Sequence, residues 1–341
     1  MTPRTAALVA REAASRHNLV CMPTEPVAPP ARPQFQPMRS LLLHLSESKR
    51  LAPVIMNLGV SRRVARRFVA GETLEDAFEA ARAVNRDLQL ASLDHLGENV
   101  DDEAGARRTA EGYLGVFDRI AQEKLDANVS LKLTQLGLDL GVPLCEDLLE
   151  SIVARAASRT NFVRVDMEGS AYTQRTIDIV KRVRAKHANV GTVMQAYLYR
   201  TEQDVRDLLE AGCRIRLCKG AYNEPPELAF PKKSDVDANY VKLTKILLPS
   251  GIYHGIATHD PAMIEATKDF AREKNISREQ FEFQMLYGIR TDLQKQLVRE
   301  GYRLRIYIPY GSDWFPYFMR RLAERPANLT FFLRGLLPRS S

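Results

Sequence analysis

The sequence predicts an α/β protein, a (β/α)8 barrel of the TIM type with helices in front of it. Three observations predict it. Short apolar-rich segments alternate with helical patterns eight times, starting about 20 to 40 residues apart, as such a barrel requires. Charged side chains recur inside those segments on the parity opposite to the apolar set, near the strands' C-terminal ends. No G-x-G-x-x-G follows the first strand, whereas the competing doubly wound sheet usually carries that phosphate turn.

Taken in order, residues 1–37 hold Pro3, Pro23, Pro26, Pro29, Pro30, Pro33 and Pro37. Such density denies the segment helix and sheet, so a disordered leader is expected. Its Arg-rich first part, through His17, leaves a targeting role as the alternative, with Met38 as an alternative start. Residues 38–86 read as a cluster of helices: Leu41 to Leu43, Val54 to Leu58 and Ser61 to Phe68 are apolar-periodic, and Thr73 with Asp76 resembles a cap before Ala77 and Phe78. The barrel is expected over 87–337, with strands at 88–96, 129–134, 162–167, 190–198, 213–218, 252–258, 281–286 and 302–308. Helical patterns lie between them, for instance over 144–157, 173–186, 201–209 and 261–274. The last strand alternates Arg303, Arg305 and Tyr307 with Leu304, Ile306 and Ile308, and Pro309 and Gly311 are expected to stop it. Asp313 can then cap a helix carrying the chain's only Trp.

With 341 residues, 45% hydrophobic and 27% charged, the chain can bury a substantial core and has the composition of a soluble globular protein. No apolar run reaches the roughly 20 residues that span a bilayer, and no secretory signal opens the sequence. Cys21, Cys145, Cys213 and Cys218 form no C-x-x-C pair, which reads as reduced thiols in a cytoplasmic protein without zinc. The formal charge of +7 permits anionic partners. The bases are interleaved with acids, as in Glu265, Lys268 and Arg272, so a nucleic-acid partner is not expected.

Strand parity is the most informative feature. In 129–134 the apolar Val129, Leu131 and Leu133 would face the helices, which turns Ser130, Lys132 and Thr134 inward. The same rule turns Arg164 and Asp166, Arg216, and Arg305 with Tyr307 into the barrel. Barrel interiors are ordinarily filled by Val, Ile and Leu. Charges in such a space must pair with each other or with something bound. A purely structural ion-pair network and an active site both satisfy that requirement. Beyond the last strand, Tyr317, Arg320 and Arg321 share a helical face, where a phenol and two guanidinium forks would suit a small carboxylate. A solvated basic face is the alternative. His254 and His259 bracket the sixth strand on opposite parities and cannot jointly hold a metal. Thr258-His259-Asp260-Pro261 reads as strand end, cap and first helical proline.

The segments SLKLTQLGLD (130–139), FVRVDMEGS (162–170), QAYLYRTEQD (195–204), RLCKGAYNEP (216–225), ATHD (257–260), FEFQMLYG (281–288) and YIPYGSDWFPYFMRR (307–321) together resemble the proline dehydrogenase family, specifically its short monofunctional bacterial members. The resemblance runs in family order from about residue 40 to 335. It implies a distorted (β/α)8 barrel with the last helix over its mouth, noncovalent FAD, and oxidation of L-proline to Δ1-pyrroline-5-carboxylate. By position, Lys132, Arg320 and Arg321 would hold the substrate carboxylate, and Asp166 and Arg216 match the family's active-site aspartate and arginine. Met167, Gln195, Arg216, Lys219, Gly220, Ala221, Thr258 and His259 fall where the family touches FAD. Tyr222, Leu286, Tyr307 and Tyr317 would wall the pyrrolidine ring, and Glu98 would pair with Arg320 to shut the site. A membrane quinone would reoxidise the flavin, bringing the protein to the inner face of the membrane without insertion. A separate Δ1-pyrroline-5-carboxylate dehydrogenase would take the product, because the barrel uses the chain up. The leader has no counterpart in the family, and His95 stands where an apolar residue is expected.

Overall fold

The structure, a computed structural model, describes residues 65–97 and 100–324, without the side chains of 320 and 322–324. The expected leader, the part of the expected helical cluster before residue 65, and Glu98 lie outside the described residues.

A reciprocal capping box opens the first helix, α1 (Leu74–Arg86). Asp76 N–H donates to Thr73 Oγ1 at 3.2 Å and Thr73 N–H to Asp76 Oδ2 at 2.9 Å, so the expected cap forms. Ala77, Phe78, Ala81 and Val84 on its inner face pack toward the first and last strands.

The strands are β1 (Leu90–His95), β2 (Ala127–Leu131), β3 (Val163–Val165), β4 (Val190–Gln195), β5 (Arg214–Cys218), β6 (His254–Ala257), β7 (Phe281–Leu286) and β8 (Leu304–Tyr310). They pair in parallel and in chain order, and β1 against β8 closes the barrel, with Ala91 beside Ile306 and Leu93 beside Ile308. The crossovers carry α2 (Glu103–Glu123), α3 (Val142–Ser158), α4 (Ser170–Lys186), α5 (Thr201–Glu210), α6 (Lys233–Leu247), α7 (Pro261–Glu273) and α8 (Thr291–Arg299). A last helix, α9 (Trp314–Glu324), follows β8. This is the predicted fold class.

The outward-facing set Leu93, Val129, Leu131, Val165, Ile215, Leu217, Ile256, Phe283 and Ile306 is buried with the inner faces of the helices in one apolar layer. Burying each such side chain is worth about 1.5–3 kcal/mol, which is what holds the barrel together. A second apolar cluster joins Trp314, Phe315 and Phe318 of α9 to Phe68, Leu96 and Ile289.

Three local expectations change. β2 ends at Leu131, and 133–136 form a 3-10 turn, so Thr134 is not a strand residue; its hydroxyl donates to Glu168 Oε2 at 2.9 Å. The last strand runs through Pro309 to Tyr310. There the carbonyl of Pro309 accepts Ala70 N–H at 2.9 Å and that of Tyr310 accepts Leu96 N–H at 2.7 Å, so pairing continues past the proline. Finally, not every inward charge gathers at the C-terminal ends. Arg164 donates to the carbonyls of Thr192 and Arg214, and Arg305 pairs with Glu282 at 2.7 Å, both toward the N-terminal half. Burial, with Arg216 as neighbour, depresses the Arg164 guanidinium to about 9.

Candidate active site

The interior between the strands is polar along most of its depth. Ser92, Asp94, Ser130, Arg164, Arg216, Glu282 and Gln284 are all buried. At the C-terminal ends this polar column opens into a cavity of about 450 Å³. A larger one, about 790 Å³, lies at the N-terminal ends among Arg214, Arg303, Tyr253 and Asn161. The smaller is the better candidate. Residues from all eight strands or their following loops converge on it, and barrel chemistry sits at that face.

Arg216, on β5, is its hub. Its Nη1 donates to Asp166 Oδ1 at 2.8 Å, Nη2 to Ser130 Oγ at 3.0 Å, and Nε to Gln284 Oε1 at 2.5 Å. Asp166 follows β3 directly, and its second oxygen accepts Tyr307 O–H at 2.8 Å. The Tyr307 ring lies 5.2 Å from the guanidinium carbon. Burial, then the Asp166 and Asp94 carboxylates, push the Tyr307 hydroxyl well above its ordinary range, so it stays a donor.

Beside this group, Lys132 approaches Asp94 at 3.5 Å. Burial raises the Asp94 carboxyl to about 6, against the pull of Lys132 and with a push from Asp166. Tyr317 and Arg321 of α9 line the same cavity, which places that helix across the barrel mouth. Four cations (Lys132, Arg216, Lys219, Arg321) thus face three acids (Asp94, Asp166, Asp260), a balance that favours an anion.

Another part of the wall comes from the β5–α6 and β6–α7 connections. Gly220 takes φ +116°, and a Cβ there would lie 2.2 Å from the Tyr197 ring, so only glycine fits. Lys219 next to it bridges Asp237 and Asp260. Ser170, at the start of α4, donates its N–H to Glu224 Oε1 at 2.7 Å and its hydroxyl to Oε2 at 2.5 Å, tying down the loop that carries Tyr222. Asp260 caps α7 before Pro261, as the sequence implied. His259 Nε2 accepts Leu286 N–H at 2.9 Å, which leaves the proton of a neutral ring on Nδ1. Gln195 Nε2 donates to Glu168 O at 2.9 Å, which leaves its Oε1 to accept from a ligand. Burial pushes the Cys218 thiol up to about 12, so it is no nucleophile at neutral pH.

Lys132, Asp166, Met167, Gln195, Arg216, Lys219, Gly220, Ala221, Tyr222, Thr258, His259, Leu286, Tyr307, Tyr317 and Arg321 all line this one cavity. Glu98 and the Arg320 side chain lie outside the described residues. The exposed His95 packs its ring 5.1 Å from Tyr310, so an apolar residue is not required there. Sequence reasoning missed Asp94 and Gln284. Both were accessible to it: in 90–95 and 281–286 the apolar Ala91, Leu93, Phe281, Phe283 and Met285 face out, and the parity rule turns Ser92, Asp94, Glu282 and Gln284 in.

The sequence model of the proline dehydrogenase family matches residues 77–334. Proline dehydrogenase 2 of Bacillus subtilis (strain 168) is 44% identical over 298 residues, covering 87% of this chain and 98% of that protein. The proline dehydrogenase of Deinococcus radiodurans is 41% identical over 281 residues, covering 80% and 90%. Among solved structures, proline utilization A from Bdellovibrio bacteriovorus, inactivated by N-propargylglycine, superposes with a TM-score of 0.75 at 26% identity. That match covers 89% of this chain but only 36% of the larger protein.

Proposed function

The chain belongs to the proline dehydrogenase family, an oxidoreductase family of proline catabolism, and on that premise we propose a flavin-dependent reaction at the cavity. In it, L-proline would be oxidised at C5 to Δ1-pyrroline-5-carboxylate, with N5 of noncovalently held FAD as the hydride acceptor. The observation that carries this reading is the convergence of Lys132 and Arg321 with the Arg216–Asp166–Tyr307 group in one cavity.

The donor set fits the flavin. Its pyrimidine edge carries one N–H donor between carbonyl acceptors, which suits an accepting Gln195 Oε1 beside cationic Arg216 and Lys219. Met167, Gly220, Ala221, Thr258 and His259 would complete the hold. When bound, FAD supplies the hydride acceptor.

The chain's own residues do the rest. Lys132, Arg321 and Arg320 would fix the substrate carboxylate by charge-assisted bonds. Tyr222, Leu286, Tyr307 and Tyr317 would press the ring into place and exclude water, so that positioning supplies much of the rate. Arg216, a buried cation fixed by Asp166, would stabilise the negative charge that arrives with the hydride. The amine enters deprotonated, and its remaining proton leaves to water as the imine forms. Glu98 would close the site on Arg320.

A membrane quinone would then take the electrons at the membrane surface. Among the described residues no helix is long and apolar enough to cross a membrane, which fits a peripheral encounter. A separate Δ1-pyrroline-5-carboxylate dehydrogenase would consume the product. A leader over 1–37, helices over 38–86 and a barrel over 87–337 belong to the same reading. The test is an anaerobic titration with L-proline followed by flavin absorbance. A yellow preparation that bleaches stoichiometrically is expected; a colourless protein, or a flavin untouched by proline, refutes the proposal.

A further inference from the structure

One chain of hydrogen bonds runs from the N-terminal half of the barrel to Arg216, its only member with a part in the proposed chemistry. It begins at Arg305, which donates through Nε to Glu282 Oε1 at 2.7 Å and through Nη2 to Oε2 at 3.0 Å. Tyr253 O–H adds a third bond to Glu282, at 2.9 Å. Glu282 Oε1 then accepts Gln284 Nε2–H at 2.6 Å, and Gln284 Oε1 accepts Arg216 Nε–H at 2.5 Å.

From these contacts we infer that Gln284, its amide locked by Glu282, is a positioning residue that sets the tilt of the Arg216 guanidinium at the reacting centre.

Three features support it. A guanidinium held only through its outer nitrogens can rock, and Asp166, Ser130 and Ser92 all meet Arg216 at Nη1 or Nη2. Gln284 alone among these bonds takes Nε, the nitrogen nearest the side-chain stem, and so removes that freedom. The second feature is polarity. A glutamine amide turned the other way would set N–H against N–H; the Glu282 carboxylate accepts one end and thereby fixes the oxygen toward Arg216. The third is room. A Cβ at Gly255 would lie 2.3 Å from Gln284 Nε2, and Gly255 stands in register with both Arg216 and Glu282. The barrel leaves out a side chain where this amide must lie.

The inference rests on the flavin reading, so its test must separate the two. Gln284→Leu, Arg216→Gln and the double variant would be purified with FAD. Their kcat, their KM for L-proline and their affinity for sulfite would be measured; sulfite adds to flavin N5 and reports how well the site stabilises negative charge there. Gln284→Leu is expected to lower kcat about tenfold or more and sulfite affinity about tenfold, with KM changed less than about threefold. Added to Arg216→Gln, it should change neither quantity more than about twofold, because a residue that acts through Arg216 has nothing left to act on. Wild-type kcat and sulfite affinity in Gln284→Leu, or full additivity in the double variant, overturns the assignment. If Gln284→Leu does not fold, Gln284→Met takes its place in the cycle, with the same changes expected and the same results overturning the assignment. A wild-type protein without proline-reducible flavin would overturn the functional reading itself, and this one with it.

Discussion

Asp166 Oδ1 lies 2.8 Å from Arg216 Nη1, and both side chains are almost wholly withdrawn from solvent. Such a pair is expensive to desolvate, and removing either member strands the other. Asp166→Ala should therefore destabilise the fold by about 3–5 kcal/mol and cut kcat on the order of a hundredfold or more. Tyr307→Phe keeps the charge pair and removes only the 2.8 Å bond to Asp166 Oδ2. Losing a bond to a carboxylate, worth about 1.5–3 kcal/mol, predicts roughly a tenfold to hundredfold fall in kcat/KM and a smaller loss of stability than Asp166→Ala causes. Equal damage from both variants, measured by steady-state kinetics and urea unfolding, would deny the pair its separate role.

Arg321 reaches the cavity from α9, with its guanidinium carbon 5.0 Å from the Tyr317 ring. Arg321→Met keeps the apolar stem and deletes the charge. A lost charge-assisted bond of about 1.5–3 kcal/mol implies a KM for proline raised roughly tenfold to a hundredfold, with flavin content unchanged. Flavin loss at unchanged KM, read from the absorbance ratio of the purified protein, would place Arg321 in the cofactor site instead.

Gly220 combines φ +116° with the Tyr197 ring where a side chain would begin. Gly220→Ala must move either the ring or the loop, and the strained backbone alone costs on the order of 1–2 kcal/mol. The displaced segment carries Lys219, Ala221 and Tyr222. The expected result is FAD affinity weakened at least tenfold by fluorescence titration, with the barrel still folded by circular dichroism. Wild-type FAD affinity would show that this loop does not grip the cofactor.

Much of this was legible in the sequence because a strand has only two faces. Once Val129 and Leu131 are assigned to the helices, Ser130 and Lys132 have nowhere to go but inward. Period two says nothing about which end of the barrel a long side chain leans toward. Arg164 and Arg305 are inward as expected, yet they turn to the N-terminal half because their acceptors, the Arg214 carbonyl and Glu282, lie there. Those partners come from other strands, β5 and β7, and cannot be read locally. Gly220 is obligatory for the same reason: the ring that excludes a side chain belongs to Tyr197, beyond β4.

His254 is wholly buried and far from neutral-pH ionisation. Its Nδ1 accepts Ile215 N–H at 3.0 Å, and its Nε2 lies 3.0 Å from Ser250 Oγ, so the neutral ring satisfies both contacts and a second proton would break one. Burial first, then Arg164, depress it to about 3. The sign follows from where protons bind. Below about pH 6.5 the unfolded chain protonates this histidine while the folded chain does not, so stability is complete above 6.5 and drains as pH falls toward 3. The full window is worth up to ~5 kcal/mol. Asp94 works in the opposite sense. Raised to about 6, it favours the folded state as pH falls from 6 toward 4, and so partly masks the histidine. The decisive measurement is urea unfolding across this range for wild type and His254→Asn. The variant should be less stable at pH 7, where a buried packing group is lost, yet lose less on acidification. Parallel pH curves for the two proteins would mean that His254 takes up its proton in the folded state as readily as in the unfolded one.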